Sequence, residues 1–332
     1  MKDSMNHVER FRAVMDFKPF DRLPRIEWAG WWDQTINRWK NEGLPDIRDA
    51  FESRRYLGLD PYWQHWFAPR LPSCPQAPHG QGIVGNADDY TAVLPHLFPP
   101  FEKSVRSLEP WEAKQQRGEV VVWITLDGFF WFPRTLLGIE NHLYAFYDQK
   151  ELLHRVNRDL AEFHVRLLQN LAKVCRPAFM TFAEDMSYNL GPMLSKEMFE
   201  EFLAPYYRRV VPVAKEMGMN VVVDTDGDCS ELIPWLRGVG VDGVLPLERQ
   251  AQVDAGALRR EHPRLLMIGH FDKMVMNRGE QAVRGEFERL LPVMKTGGFI
   301  PSVDHQTPPG VSLEQYRHYL RLLEEYSFLA AG

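Results

Sequence analysis

Cysteine is scarce in this chain: Cys74, Cys175 and Cys229 are its only three, far apart and without a CxxC pair. That spacing excludes a disulfide framework and a zinc ribbon, and it suits a reducing, cytoplasmic compartment. Long apolar runs are also missing. No stretch of about 18 apolar residues occurs, so no membrane span is expected. The N-terminal MKDSMNHVERFRAVMDF alternates charged and apolar residues at helical spacing and lacks the apolar core of a signal peptide, so it reads as a surface helix. A basic excess is absent as well, since the formal net charge is -6. A phosphate-gripping surface for nucleic acid is therefore not expected, and the pairs Arg208-Arg209 and Arg259-Arg260 read as solvated helix faces. There is no internal repeat and no low-complexity tract.

What the chain does have is rhythm. From about residue 120 onward, short β-rich runs alternate with amphipathic helical stretches, the order that builds a parallel sheet. The runs begin at Val120–Thr125, Ala178–Ala183, Asn220–Val223, Val241–Leu245, Arg264–Gly269 and Gly298–Val303. Between the first two, Leu152, Val156, Leu160, Phe163, Leu167 and Leu171 recur at three- and four-residue intervals, which predicts a helix from about Asp148 to Cys175 with that stripe in the core. Ser195 reads as a helix N-cap, and a last helix is expected over Leu313–Tyr326. Two more strands, Leu23–Trp28 and Tyr56–Asp60, bring the count to eight. The expected fold is a single-domain α/β (β/α)8 TIM barrel over residues 1–332, with an N-terminal helical extension and an irregular excursion over residues 67–100, where turn residues cluster.

In such barrels the loops that follow the strands carry the chemistry. Here those positions are acidic: Glu27, Asp127, Glu184, Asp185, Asp224, Asp226, Glu248, Asp272 and Asp304, with His305 among them. So many carboxyl groups at one mouth repel one another unless a metal, a cationic substrate, arginines or raised pKa values offset them. Each Asp could instead cap the next helix, the reading preferred for Asp228. Asp224-x-Asp226-Gly227 sets two carboxylates on one rim directly after a four-residue apolar strand. Oxygen ligands with one imidazole suit magnesium, manganese or a catalytic zinc. A calcium loop is excluded, because its twelfth position, counted from Asp224, is Trp235 and not Glu. His305 could also be an imidazole bonded to a carbonyl. The aromatics Trp28, Trp31, Trp32, Trp39, Trp63, Trp66 and Phe67, with Trp123, Phe129, Phe130, Trp131 and Phe132, divide between core packing and the lining of a planar or apolar pocket.

The segments ERFRAVMDFKPFDRLP, FAEDMSYNLGPMLSKEMFEEFLAPYYRRV, VDTDGDCSELIPWLRGVGVDGVLPLE, IGHFDKMVMNRG and GGFIPSVDHQTPPGVSLEQYRHYL resemble the uroporphyrinogen decarboxylase superfamily, and within it the decarboxylase-like proteins related to corrinoid-dependent methyltransferases. The resemblance implies a (β/α)8 barrel. True porphyrinogen decarboxylases carry an arginine-rich segment after the first strand that pairs with substrate carboxylates. This chain has Glu27-Trp28-Ala29-Gly30-Trp31 there, and an acidic rim would repel a multiply anionic tetrapyrrole. The family's methyltransferases hold zinc through a His-x-Cys pair after the fifth strand and a Cys after the eighth, positions that read Asp224-x-Asp226 and His305 here.

The resemblance therefore implies a harder divalent site, zinc by family, on Glu184, Asp224, Asp226 and His305, a methyl-accepting corrinoid carried by a partner protein, and a homodimer. Glu184, Asp185, Asp226 and His305 are the expected catalytic residues. Glu27, Trp28, Asp127, Phe129, Trp131, Glu248 and Asp272 are the expected substrate-binding residues. The leading expectation is transfer of a methyl group from a small O- or N-methylated substrate. The alternatives are a decarboxylase or lyase acting on a smaller acid, and a non-catalytic ligand-binding barrel.

Overall fold

The computed structural model describes residues 3–47 and 49–331. Seven parallel strands form one sheet in simple sequence order: β1 (Tyr62–Phe67), β2 (Val121–Asp127), β3 (Phe179–Ala183), β4 (Asn220–Thr225), β5 (Gly243–Pro246), β6 (Leu266–Phe271) and β7 (Phe299–Val303). Each strand pairs with the next, and helices fill the crossovers, the winding of a TIM-type barrel. Strands β2, β3, β5, β6 and β7 are buried along their whole length. That explains why they read as nearly continuous apolar runs, because helices cover one face of the sheet and barrel side chains fill the other.

The expected helix between β2 and β3 forms over Lys150–Leu171, and all six residues of its stripe are buried. Each such side chain contributes about 1.5–3 kcal/mol relative to exposure. Ser195 caps its helix by accepting from the Met198 N–H, and the last helix runs Leu313–Leu329 behind a Ser312 capping box.

The eighth strand position differs from the sequence expectation. Leu23–Trp28 makes no ladder, and Pro24, which lacks an N–H, gives one reason. The segment nevertheless lies between β7 and β1 and is tied to both. On the β7 side, the Glu27 carboxylate accepts from the Ser302 hydroxyl at 2.7 Å, the Val303 N–H at 3.1 Å and the Tyr316 hydroxyl at 3.2 Å. The Trp28 indole N–H donates to the Val303 carbonyl at 2.8 Å. On the β1 side, the Tyr62 hydroxyl donates to the Glu27 carbonyl, and the Asp60 N–H donates to the Arg25 carbonyl at 2.8 Å. Side-chain bonds thus stand in for a strand ladder at the barrel seam.

Tyr56–Asp60 is not a strand either. Tyr56 ends the helix Ala50–Tyr56, Gly58 turns the chain at a φ of 76°, and β1 starts after Pro61. The missed strand, YWQHWF, carries polar residues at its centre and so hid its β character. Residues 67–100 are irregular apart from the helix Ala87–Val93, capped by Asn86, and a single turn at Leu94–His96.

Replacing Glu27 by Ala would leave the Ser302 and Tyr316 hydroxyls and the Val303 N–H buried without an acceptor, at a cost of about 3 kcal/mol. Urea denaturation of Glu27→Ala against the parent chain measures this. A loss under about 1 kcal/mol would show that the seam does not depend on the carboxylate.

Candidate active site

A pocket of about 210 Å³ opens at the C-terminal ends of the strands, lined by Trp28, Trp66, Trp131, Ala183, Glu184, Asp185, Asp224, Asp226 and His305. Larger clefts lie elsewhere. One of about 630 Å³ is bordered by Pro61 and Val120, which precede β1 and β2, so it sits at the opposite end of the barrel.

Glu184 follows β3 directly and is fully buried. Its carboxylate accepts from the backbone N–H groups of Phe129 (2.8 Å), Phe130 (2.7 Å) and Trp131 (3.1 Å), and from the Tyr207 hydroxyl. The three backbone donors lie at the N-terminal turn of the helix Trp131–Leu137, where an anion is favoured. Gly128 makes the approach possible, because a Cβ there would lie 2.0 Å from the Glu184 carboxyl carbon. Burial still pushes the Glu184 pKa up to about 7 in spite of the four donors. Glu184 is thus part of the pocket wall with its oxygen atoms already engaged, which is not the free ligand that the sequence suggests.

Asp185 sits in the left-handed region at a φ of 44°, and Arg134 holds it there through its carbonyl at 3.0 Å and its carboxylate at 2.8 Å. Asp224 and Asp226, on and just after the end of β4, face the pocket without a side-chain hydrogen bond among the described residues. Burial, then the neighbouring Asp226 and Asp185, raises Asp224 well above the usual carboxylate range. Burial and Glu248 raise Asp226 to about 6, against a partial opposing pull from His305. His305 Nε2 lies 3.8 Å from Asp226, and the Trp28 ring meets the imidazole edge-on with centroids 6.2 Å apart. Its ring makes no hydrogen bond to a carbonyl among the described residues.

Ligand atoms of Asp226, Glu248 and His305 all lie within 4.8 Å of one another. That differs from the set expected from sequence: Glu248 enters it, while Glu184 and Asp224 are outside. Zinc bonds to oxygen and nitrogen are about 2.0–2.2 Å long, which sets donors on one tetrahedral ion about 3.4 Å apart, so these three would hold a divalent ion only after closing in on it. Glu248 also accepts from the Gly227 N–H at 3.0 Å and pairs with Lys273 at 3.4 Å. The donor set holds no sulfur. Cys229, the nearest cysteine in sequence, is fully buried, and burial pushes its thiol up to about 12.

The other expected binding residues divide. Trp28 and Trp131 line the pocket. Asp127 lies behind Trp66 and accepts its indole N–H at 2.7 Å, which orients the ring. Phe129 is fully buried, packed on Phe182, Tyr206 and Tyr207, and only its N–H has a part in the site. Glu27 belongs to the barrel seam. Asp272 caps the turn Lys273–Val275 and accepts from Gln250, away from the pocket. Asp304 accepts from the N–H groups of Arg249 and Lys273 and joins the loops after β5 and β6. In the sequence Trp66 is only one of many aromatics, because the expected strand Tyr56–Asp60 lies before β1. Arg134 and Lys273, the cations that offset Asp185 and Glu248, were missed outright. The excess of acids was the signal that such cations must exist.

Burial raises the Asp127 pKa to about 6, against about 4 in an unfolded chain. A carboxyl raised in this way favours the folded state fully below pH 4, and that contribution is lost as pH climbs through 6. Asp127→Asn removes the titration and can keep the Trp66 bond. The stability of the variant relative to the parent should therefore rise by up to about 3 kcal/mol between pH 4 and 7. Denaturation midpoints at five or six pH values test this, and parallel curves would contradict it.

Among the described residues no helix is long and apolar enough to cross a membrane. A methyltransferase from Methanosarcina mazei has a similar structure, with a TM-score of 0.68 at 13% sequence identity, covering 97% of this chain and 99% of that one. A B12-independent methionine synthase from Shewanella sp. W3-18-1 superposes with a TM-score of 0.43 at 12% identity, over 69% of this chain and 66% of that one. No curated protein matches the chain. Residues 119–326, from two residues before β2 to the last helix, match the family described as uroporphyrinogen decarboxylase (URO-D). Together with a barrel wound in sequence order and an acid-lined mouth, that match means that the chain belongs to the uroporphyrinogen decarboxylase family.

Proposed function

We propose that this chain is a methyltransferase of the uroporphyrinogen decarboxylase family, which removes a methyl group from a small O- or N-methylated substrate and passes it to a corrinoid carried by a separate protein. The observation that carries this reading is a small tryptophan-walled pocket whose carboxyl groups Asp224 and Asp226 are raised by burial and by neighbouring carboxylates. A methoxyl oxygen or an amine leaves only if the charge it develops is neutralised. Asp224, whose carboxyl burial holds well above the usual carboxylate range, can supply that proton. Asp226 and His305 can hold the departing atom in place. The three tryptophans keep water from the methyl group. The fold shared with a methyltransferase is consistent with this but shows the fold alone.

Asp226, Glu248 and His305 would hold a divalent ion, zinc by family, and such an ion supplies Lewis acidity at the leaving atom. Decarboxylation of a carboxylate substrate fits less well, because Arg134, the guanidinium beside the pocket wall, is already paired with Asp185. A homodimer and a cytoplasmic setting remain part of the proposal.

Elemental analysis of the purified protein should find about one equivalent of a divalent metal, lost in His305→Ala. Methyl transfer to a free corrinoid from a panel of methyl ethers and methylamines should fall by about 10²- to 10⁴-fold in Asp224→Asn. A metal-free protein that is inactive across the panel would overturn the reading.

A further inference from the structure

We propose that Lys273 is the resident counter-ion of the Asp226, Glu248 and His305 set, a positioning residue that competes with a divalent ion for Glu248 and so sets how tightly the ion is held; this rests on the metal-assisted reading above. The three ligand atoms lie within 4.8 Å of one another, wider than their spacing on one ion, so an ion is held only if a ligand moves. Glu248 is the ligand that a cation restrains. Its Oε1 lies 3.4 Å from the Lys273 ammonium, and its Oε2 accepts from the Gly227 N–H at 3.0 Å.

Lys273 is itself firmly placed. It opens the turn Lys273–Val275, which Asp272 caps, and its N–H donates to Asp304 at 3.2 Å. Its ammonium lies 3.5 Å from the same carboxylate, which is fully buried and also accepts from the Arg249 N–H at 2.9 Å. Asp304 precedes His305 in the chain. One lysine therefore touches the Glu248 side of the set directly and the His305 side through the residue before it. Its side chain is 18% exposed, so salt and water screen its charge only in part.

Two roles for such a lysine predict opposite signs. A divalent ion that takes Glu248 meets the ammonium a few ångströms away and is repelled by it. Lys273 can keep Asp304 as its partner in that exchange, so no buried carboxylate is left alone. No other cation pairs with Glu248 or Asp304 among the described residues. Without the lysine these two acids repel each other, which lowers stability, and the freed Glu248 draws the ion more strongly. A lysine that only braced the loops would behave in reverse, because its loss would loosen the set and weaken the ion.

Isothermal titration of zinc chloride into the full chain, stripped of metal by a chelator, tests the competition. Lys273→Met, which keeps the length and drops the charge, should bind zinc at least roughly tenfold tighter than the parent. The stripped variant should also melt roughly 2–6 °C lower. Lys273→Arg, which keeps the charge, should stay within roughly threefold of the parent. Adding His305→Ala to Lys273→Met should abolish the gain, which locates the ion. If Lys273→Met does not fold, Lys273→Gln, which keeps a hydrogen-bond donor, replaces it. Zinc binding by the neutral variant that only equals the parent's, or falls below it, would overturn the inference and leave the metal site standing, as would an equal gain in Lys273→Arg. Zinc held by the neutral variant alone would support the competition. Zinc held by neither protein would overturn the metal reading itself, and the inference with it.

Discussion

Glu184 is a buried carboxylate paired with no cation among the described residues, and the mouth of the barrel is assembled around that fact. An anion cannot be buried unless donors replace its water. Three backbone N–H groups from the turn at 129–131 and the Tyr207 hydroxyl meet that demand. The same bonds fasten the end of β2 to the end of β3 and to the helix Ala204–Glu216. Trp131 is thereby fixed as a pocket wall, and Asp185, next in sequence, is turned out toward Arg134. Gly128 is required because a side chain there would occupy the carboxylate's place.

Around this anchor the remaining acids are sorted by their partners. Asp185 has Arg134, while Glu248 and Asp304 share Lys273. Glu27 accepts from backbone and hydroxyl donors, Asp272 from a backbone N–H and the Gln250 amide, and both serve structure. Asp224 and Asp226, with His305 beside them, keep open valence toward the cavity. A row of acids that looks uniform in the sequence thus separates into structural groups and a small reactive set. The separation follows from desolvation: groups given partners bind structure together, and groups left without them have pKa values driven upward, where proton transfer or ion binding becomes available.

Much of the architecture could be read from residue order alone. Strands β2 to β7 are apolar runs that can hardly be exposed, and their alternation with amphipathic stretches admits few folds other than a wound parallel sheet. The seam was harder to read. Leu23–Trp28 sits where a strand was expected but bonds through Glu27, Trp28 and Tyr62, and no periodicity reports a side-chain bond across 275 residues of chain, the separation of Glu27 and Ser302. The strand β1 was misplaced because its central residues are polar and aromatic, a pattern shared with pocket linings.

The sequence by itself determined that acids and His305 would gather at strand ends, because βα order places those positions on one rim whatever the details of packing. Which acids face one another was decided only in three dimensions. On paper Glu184 is the expected ligand and Glu248 a substrate-binding residue, although each follows a strand. Their fates differ because Gly128 opens a path for one carboxylate into a ring of backbone donors, while the loop after β5 leaves the other beside Asp226 and His305. Distances of a few ångströms between segments far apart in the chain set that difference, and they depend on packing that no local pattern encodes.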